Sequence, residues 1–593
     1  MTIGFDLDLR NWITLFKQNN HTVLSQEFIR VLSFFRDHTY TKLDSTLTNR
    51  INTIVQSFLH LFSSPDFRVP AEHADAYISL NPVITNLVAM SDFENTDPWL
   101  EMILRQEANL LKIAALYSCR NQLDFQPEIL FEAHPLVASK WWVTCWSSIE
   151  SCASPRIHDF FKLHMKRLGQ NFQLFGPEAS YPYTRIAHID PSDDLLFKSR
   201  FNKMIKETLG RVQITSNSDP KHIAVATSNW FANSVVYQCL NPFIRSLKPE
   251  YKLTLIHFGK SREDLETSLF DDVIKLEFQS GSLSITSLQT NTFSLIYYPD
   301  LGMNTEAKFL SNLRIAPIQV MGYGYPVSTY GSEIDYFIGG QDVEHPDLAE
   351  RTFSERLVLI PGMGIQPPHP SYVPDPDITQ KEDEKISDQM IINCSWGSRE
   401  MNYPLLKTLN KIKDSTNKKL LFRFFPGSEI HRMNAFIALK KDLEAFLGAN
   451  SIDLAPHSDH KTYMNLLSTG HFSIDAFPFG GFHTILDSLM CYLPMITWEG
   501  DRSMNRLSSA LLRRINLEEC VATDEKEYIE KILDLIESES ARYSLIEKIK
   551  ALDFASLKFP DDQTKPFKEA MNIIINKHQN FKNQATKAPI IIE

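Results

Sequence analysis

Several absences narrow the reading before any motif is considered. No run of about 18 apolar residues occurs, the length a helix needs to cross a bilayer, so no membrane span is expected. The opening residues, MTIGFDLDLRNW, lack a basic stretch followed by an apolar one, so no secretory signal is expected. The seven cysteines are scattered, and none forms a CxxC pair. That dispersed, odd-numbered set points to reduced, buried thiols in a cytoplasmic protein and away from a structural zinc site. Basic residues are not in excess either: 60 Lys and Arg face 72 Asp and Glu, a formal net charge of −12. A general nucleic-acid binder normally shows a basic face, so that class is disfavoured, although a small basic pocket for a diphosphate is compatible. There is no Walker loop and no GxGxxG, which weakens ATPase and dehydrogenase readings. No spacing suggests a serine or cysteine nucleophile, and no clean 34-residue repeat emerges.

What is present divides by character. Up to about residue 205 the segments 24–35, 48–62 and 99–116 carry apolar residues at three- and four-residue spacing, which predicts helices. From residue 220 short β-rich runs alternate with helical patterns. Strands are expected at 222–227, 251–258, 294–298, 318–321 and 336–338, and a helix at 233–247. A proline- and charge-rich stretch at 366–388 reads as a linker, because proline suits neither a helix interior nor a central strand. The alternation then resumes, with strands at 389–394, 419–425, 472–476 and 495–497 and helices at 403–414, 460–467 and 484–491. This predicts an α/β chain: an all-helical region at 1–205, a first Rossmann-like domain at 206–375 and a second at 376–593. Ligands in such sheets bind at the carboxyl ends of strands.

Four strand-end segments carry candidate chemistry. In DAFPFGGFHTILD at 475–487, Gly480 and Gly481 let the backbone approach a ligand, and a helix starting near Thr484 offers free N–H groups to a diphosphate. Asp487, about one turn in, can accept a ribose hydroxyl or stabilise its own helix terminus. In APHSDHKTY at 455–463, His457 can meet a base or phosphate or serve as a structural hydrogen-bonder, and Ser458 or Asp459 can cap the next helix. In NCSWGSREMN at 393–402, Ser398 and Arg399 stand where a cation balances a leaving diphosphate, or where a solvated loop arginine would sit. FPGSE at 425–429 is a further tight turn. The glycine- and tyrosine-rich segment at 321–338 reads either as a cleft-lining loop or as a packed connection.

Taken together these segments resemble a known family. PIQVMGYGYPVSTYGSEIDYFIGG at 317–340, FSERLVLIPG at 353–362 and FGGFHTILDSLMCYLPMITWEGDRSMNRLSSALL at 479–512 resemble the catalytic region of O-GlcNAc transferases. APHSDHKTYMNLLSTGHFSIDAFPFG at 455–480 is similar, in motif and spacing, to the bacterial cytoplasmic N-glycosyltransferases that modify high-molecular-weight adhesins. HLFSSPDF at 60–67 resembles their helical domain more weakly. The resemblance implies a GT-B fold, two Rossmann-like domains behind an all-α domain. It implies inverting, metal-independent transfer of a hexose, usually glucose, from a UDP-sugar. The implied acceptor is a protein side chain (asparagine or Ser/Thr) or a protein-linked glycan, with an adhesin as one implied partner, and no cofactor is implied.

The family's PHS histidine falls on His457 and its phosphate-helix aspartate on Asp487. Its polar turn falls on Gly481, Phe482, His483 and Thr484. Its diphosphate lysine falls near Arg399 or Glu400, of which only Arg399 carries the right charge. One departure stands out: the family's acceptor-facing histidine is replaced by Asn233 in SNWFANSVVYQ, and an amide cannot act as a general base. Two alternatives arise, a non-catalytic GT-B-shaped partner of another glycosyltransferase and a sugar-nucleotide 2-epimerase. The large helical N-terminal region argues against the second.

Overall fold

The computed structural model describes residues 7–105, 109–148, 152–166, 171–173, 176–210, 218–260, 262–368, 372, 374, 389–552 and 564–593. Most of the expected linker at 366–388 therefore lies outside the described residues. The chain forms two compact units. The smaller comprises residues 1–182, 396–410 and 421–457; the larger comprises 183–395, 411–420 and 458–593.

In the smaller unit the expected helices are present as His21–Asp37 and Ser45–Ser63, while the segment expected at 99–116 contains two helices, Asp97–Arg105 and Leu110–Leu116. Helix Ala74–Met90 is buried on nearly all sides from Tyr77 onward, as a helix apolar all round must be. Pro82 lies inside it, and the neighbouring Asn81 donates to the carbonyls of Ala114, Ala115 and Tyr117 at 3.0–3.1 Å. Its last carbonyls, with that of Ser91, accept from the Lys441 ammonium, each at 3.0 Å. Lys441 belongs to helix Ala435–Leu447. The adjacent Asp442 receives a two-pronged salt bridge from Arg120 at 2.9 and 2.7 Å. These charge-assisted contacts fix the helical region to the later segment of the same unit.

The larger unit is built on parallel strands. Its main sheet contains β1 (Asp219–Thr227), β2 (Lys252–Phe258), β3 (Asp272–Leu276), β6 (Phe293–Tyr298), β7 (Ile318–Met321), β8 (Tyr336–Gly340), β9 (Arg356–Ile360) and β16 (Ile590–Ile591). Their order is β16-β9-β8-β7-β6-β1-β2-β3, and every pairing is parallel. A short antiparallel pair, β4 (Phe278–Gln279) and β5 (Ser282–Leu283), stands apart from it. Strands β6 to β9 are buried along their whole length, the pattern of a parallel sheet covered on both faces. The chain's end returns to this sheet: helix Thr564–Lys582 places Phe567 against Phe243 and Tyr297, and β16 extends the β9 edge.

A second run of parallel pairs joins β10 (Met390–Cys394), β13 (Phe472–Ile474), β14 (Met495–Trp498) and β15 (Val521–Ala522). In the smaller unit, β11 (Leu420–Phe424) pairs in parallel with β12 (Ile452–Leu454). Helices Tyr403–Asp414 and His460–Leu467 have the expected limits.

Candidate functional site

The larger unit holds the turn expected to meet a diphosphate. It begins at the carboxyl end of β13 with Asp475, whose side chain organises the turn. Its Oδ1 accepts from the N–H groups of Ala476 at 2.9 Å and Gly481 at 2.8 Å, and its Oδ2 from the Thr497 hydroxyl at 2.7 Å. Burial lifts its pKa to about 6 against the pull of these donors. The Ser508 hydroxyl donates to the Gly481 carbonyl, and the Gly480 N–H to that of Met504 at 2.9 Å. Neither glycine has room for a side chain: a Cβ on Gly480 would come within 2.9 Å of Asp475 Oδ2, and one on Gly481 would collide with Thr484 Oγ1. Aromatic stacks clamp the turn, Phe477 on Trp498 at 3.9 Å and Phe479 on His188 at 4.0 Å.

Helix His483–Met490 comes next, one residue earlier than expected, and no side chain caps its N-terminus. Its first N–H groups and positive dipole end suit an anion. Thr484 lies in that first turn, beside Gly481. His483 faces inward, with Nε2 at 3.7 Å from Cys239 Sγ. Burial pushes its pKa down to about 4, so it is a neutral imidazole near pH 7. Asp487 pairs with His460 Nε2 at 3.5 Å, and the carboxylate raises the histidine's pKa. Asp487 thus reaches across to the neighbouring helix His460–Leu467. Asp459, one of the two expected caps, caps that helix by accepting from the Thr462 N–H at 3.0 Å.

The smaller unit holds Ser398, Arg399 and His457. Ser398 is buried, and its N–H donates to the Pro426 carbonyl at 3.0 Å, which joins the two strand-end turns at 393–402 and 425–429. Arg399 is ion-paired with Glu429 from the second of these turns. It is therefore not simply a solvated loop arginine. His457 is exposed in the segment after β12.

Asn233 lies at the carboxyl end of the main sheet in the larger unit, exposed, one residue before the Ser234 N-cap of helix Val235–Leu247. The expected helix began at Asn233 itself; the extended backbone at Ser234 delays it. This helix carries Cys239, so it meets helix His483–Met490 at His483. The segment 321–338 is not an open cleft lining. Tyr323, Tyr325, Val327 and Tyr330 are all buried. Tyr323 donates to Glu344 at 2.6 Å, and Phe479 packs on the cluster around Tyr325, Val327 and Tyr330. Apolar burial outweighs exposure for these rings.

No protein-family model matches the chain. It is 27% identical over 261 residues to a UDP-glucose:protein N-beta-glucosyltransferase of Actinobacillus pleuropneumoniae serotype 5b, covering 43% of this chain and 40% of that protein. The chain is a relative of the protein N-glucosyltransferases. It is also 24% identical over 368 residues to a tomato protein (Solanum lycopersicum), a probable UDP-N-acetylglucosamine–peptide N-acetylglucosaminyltransferase SPINDLY, covering 58% and 38% of the two chains. The chain thus spans about two-fifths of the length of these curated relatives. The structure of a point variant of Thermobaculum terrenum O-GlcNAc transferase superposes with a TM-score of 0.63 at 14% identity, covering 93% of this chain and 99% of that one. The fold is GT-B.

Two site residues escaped the sequence reading. Asp475 opens the quoted motif, and its signal was available: an acid at a strand end shortly before a glycine pair. His460 gave none, because its pairing with Asp487 joins two helices about 27 residues apart in sequence.

Proposed function

We propose that this chain is a glycosyltransferase that moves a hexose from a UDP-sugar to a protein side chain. The observation that carries the reading is the segment from Asp475 to Asp487: a carboxylate-anchored glycine turn, an uncapped helix start and a paired acid one turn on. Helix N–H groups and dipole would take the diphosphate, and Asp487 the ribose hydroxyls, with His460 holding that carboxylate in place. His483, neutral, contributes hydrogen bonding only. Arg399, in the smaller unit, keeps donors for an anion that it does not share with Glu429, since guanidinium carries five. Glucose as the sugar, asparagine or Ser/Thr as acceptor, inversion and independence of metal are parts of the same proposal. They are supported by the relatives' names and the sequence resemblance.

A second reading, a donor-binding partner that does not turn over, is favoured by two observations: Asn233 cannot take a proton, and Arg399 is already matched by Glu429. Incubation with UDP-glucose and synthetic peptides carrying Asn, Ser or Thr separates the readings. Peptide-dependent UDP release with hexose on the peptide, undiminished by EDTA, is the expected result. Binding of UDP without release in any of these mixtures would favour the partner, and an altered sugar nucleotide would identify an epimerase.

A further inference from the structure

At the carboxyl end of the main sheet, Asp300 lies just beyond β6 and is fully buried. No lysine, arginine or histidine pairs with it among the described residues, and its Oδ1 has no hydrogen-bond partner. A buried carboxyl group with no cationic partner is costly and needs a reason. Its Oδ2 supplies one: it accepts from the Thr227 hydroxyl at 3.0 Å and from the Asn229 amide at 2.5 Å. Thr227 Oγ1 in turn accepts from the Asn229 N–H at 2.9 Å. Beside it Asn304, which donates to the Asp300 carbonyl at 3.0 Å, accepts from the Ser228 N–H at 3.1 Å.

The tethers continue along the turn that leaves β1. The Trp230 carbonyl accepts from the Glu266 N–H at 3.0 Å, and Phe231 bridges to Leu265 beneath the Arg262 guanidinium at 3.7 Å. The Ala232 carbonyl accepts from Gln238 at 3.1 Å, and the Ser234 N–H donates to the Phe231 carbonyl at 2.8 Å. Ala232 and Asn233 are the exposed residues of this turn, and of the two only Asn233 carries a polar side chain. The loop above is shaped to the same acid: a Cβ on Gly324 would lie 2.7 Å from Asp300 Cβ.

We propose that Asp300 is a positioning residue that fixes the turn from Thr227 to Ser234 and thereby presents Asn233 to the acceptor. The acceptor role rests on the glycosyltransferase reading; the tethering does not. Asp300→Ala removes the acceptor of both Thr227 and Asn229. Asp300→Asn keeps one oxygen able to receive both and discards the buried charge.

The test uses the full chain. Amide hydrogen exchange over 227–234 is expected to quicken about tenfold or more in Asp300→Ala and to stay within about threefold of wild type in Asp300→Asn. UDP affinity by calorimetry is expected to stay within about twofold in both variants, while KM for the synthetic peptides rises in Asp300→Ala and is restored in Asp300→Asn. Unchanged exchange in Asp300→Ala, acceleration spread over the whole chain, or failure of Asp300→Asn to restore protection would each overturn the proposal. A wild-type chain that binds no UDP would sink the glycosyltransferase reading instead, leaving the exchange comparison to judge Asp300.

Discussion

His483 illustrates how burial alone can decide what a side chain contributes. Its imidazole stands at the positive start of a helix, which suits an anion rather than a cation, and desolvation holds its pKa at about 4. The unfolded chain takes up a proton on this group near pH 6.5, and the folded chain does so only near pH 4. Stability is therefore expected to fall as pH drops through that window, with a loss approaching about 3 kcal/mol at its acid end. Urea midpoints at about pH 7 and about pH 4.5, either side of most of that loss, should diverge less in His483→Gln than in wild type. Equal divergence in both would show that the ring is not held neutral. His460 behaves oppositely: Asp487 raises its pKa, so its pairing adds stability on the acid side and loses it as pH rises through the raised value. Its exposed position keeps that contribution small.

Among the elements, the glycine turn at 480–481 is defined by sterics as much as by hydrogen bonds. Gly481→Ala pushes a methyl into the Thr484 hydroxyl and is expected to destabilise the chain by about 1–3 kcal/mol. Thr484→Ala in the same chain should recover much of the loss in a thermal denaturation series. If the double variant is no more stable than Gly481→Ala, the clash is not the cause. This turn was legible in the sequence because Pro478, Gly480 and Gly481 break a strand–helix pattern at one place. The strands were legible for a similar reason: HIAVAT, LTLIHF and SLIYY are short apolar runs bounded by polar or turn residues. The fate of the 321–338 tyrosines was not. Tyrosine suits a wet cleft and a packed core alike, and only partners such as Glu344 and Phe479, distant in sequence, decide between them. The Asp300 tethers were hidden for the same reason, since the acid lies 71 residues from Asn229 and 73 from Thr227.

At the scale of the molecule, long-range charge pairing holds the helical N-terminal region to helix Ala435–Leu447 within the smaller unit. Arg120 and Asp442 are 13% and 14% exposed and 322 residues apart in sequence. Asp442→Ala strands a buried guanidinium and is expected to cost about 3–5 kcal/mol, the range for breaking one side of a buried pair. Guanidinium-chloride unfolding should show the loss; a cost under about 1 kcal/mol would place the pair among exposed ion pairs of little consequence.

The central claim is that the segment from Asp475 to Asp487 binds the nucleotide of a UDP-sugar. Titration calorimetry of UDP into the wild-type chain and Asp487→Ala tests it most directly. The wild-type chain should bind, and the variant, folded by circular dichroism, should bind about 1–3 kcal/mol more weakly, the cost of a lost hydrogen bond to a charged acceptor. Equal affinity in the two proteins, or no binding by either, would contradict the claim.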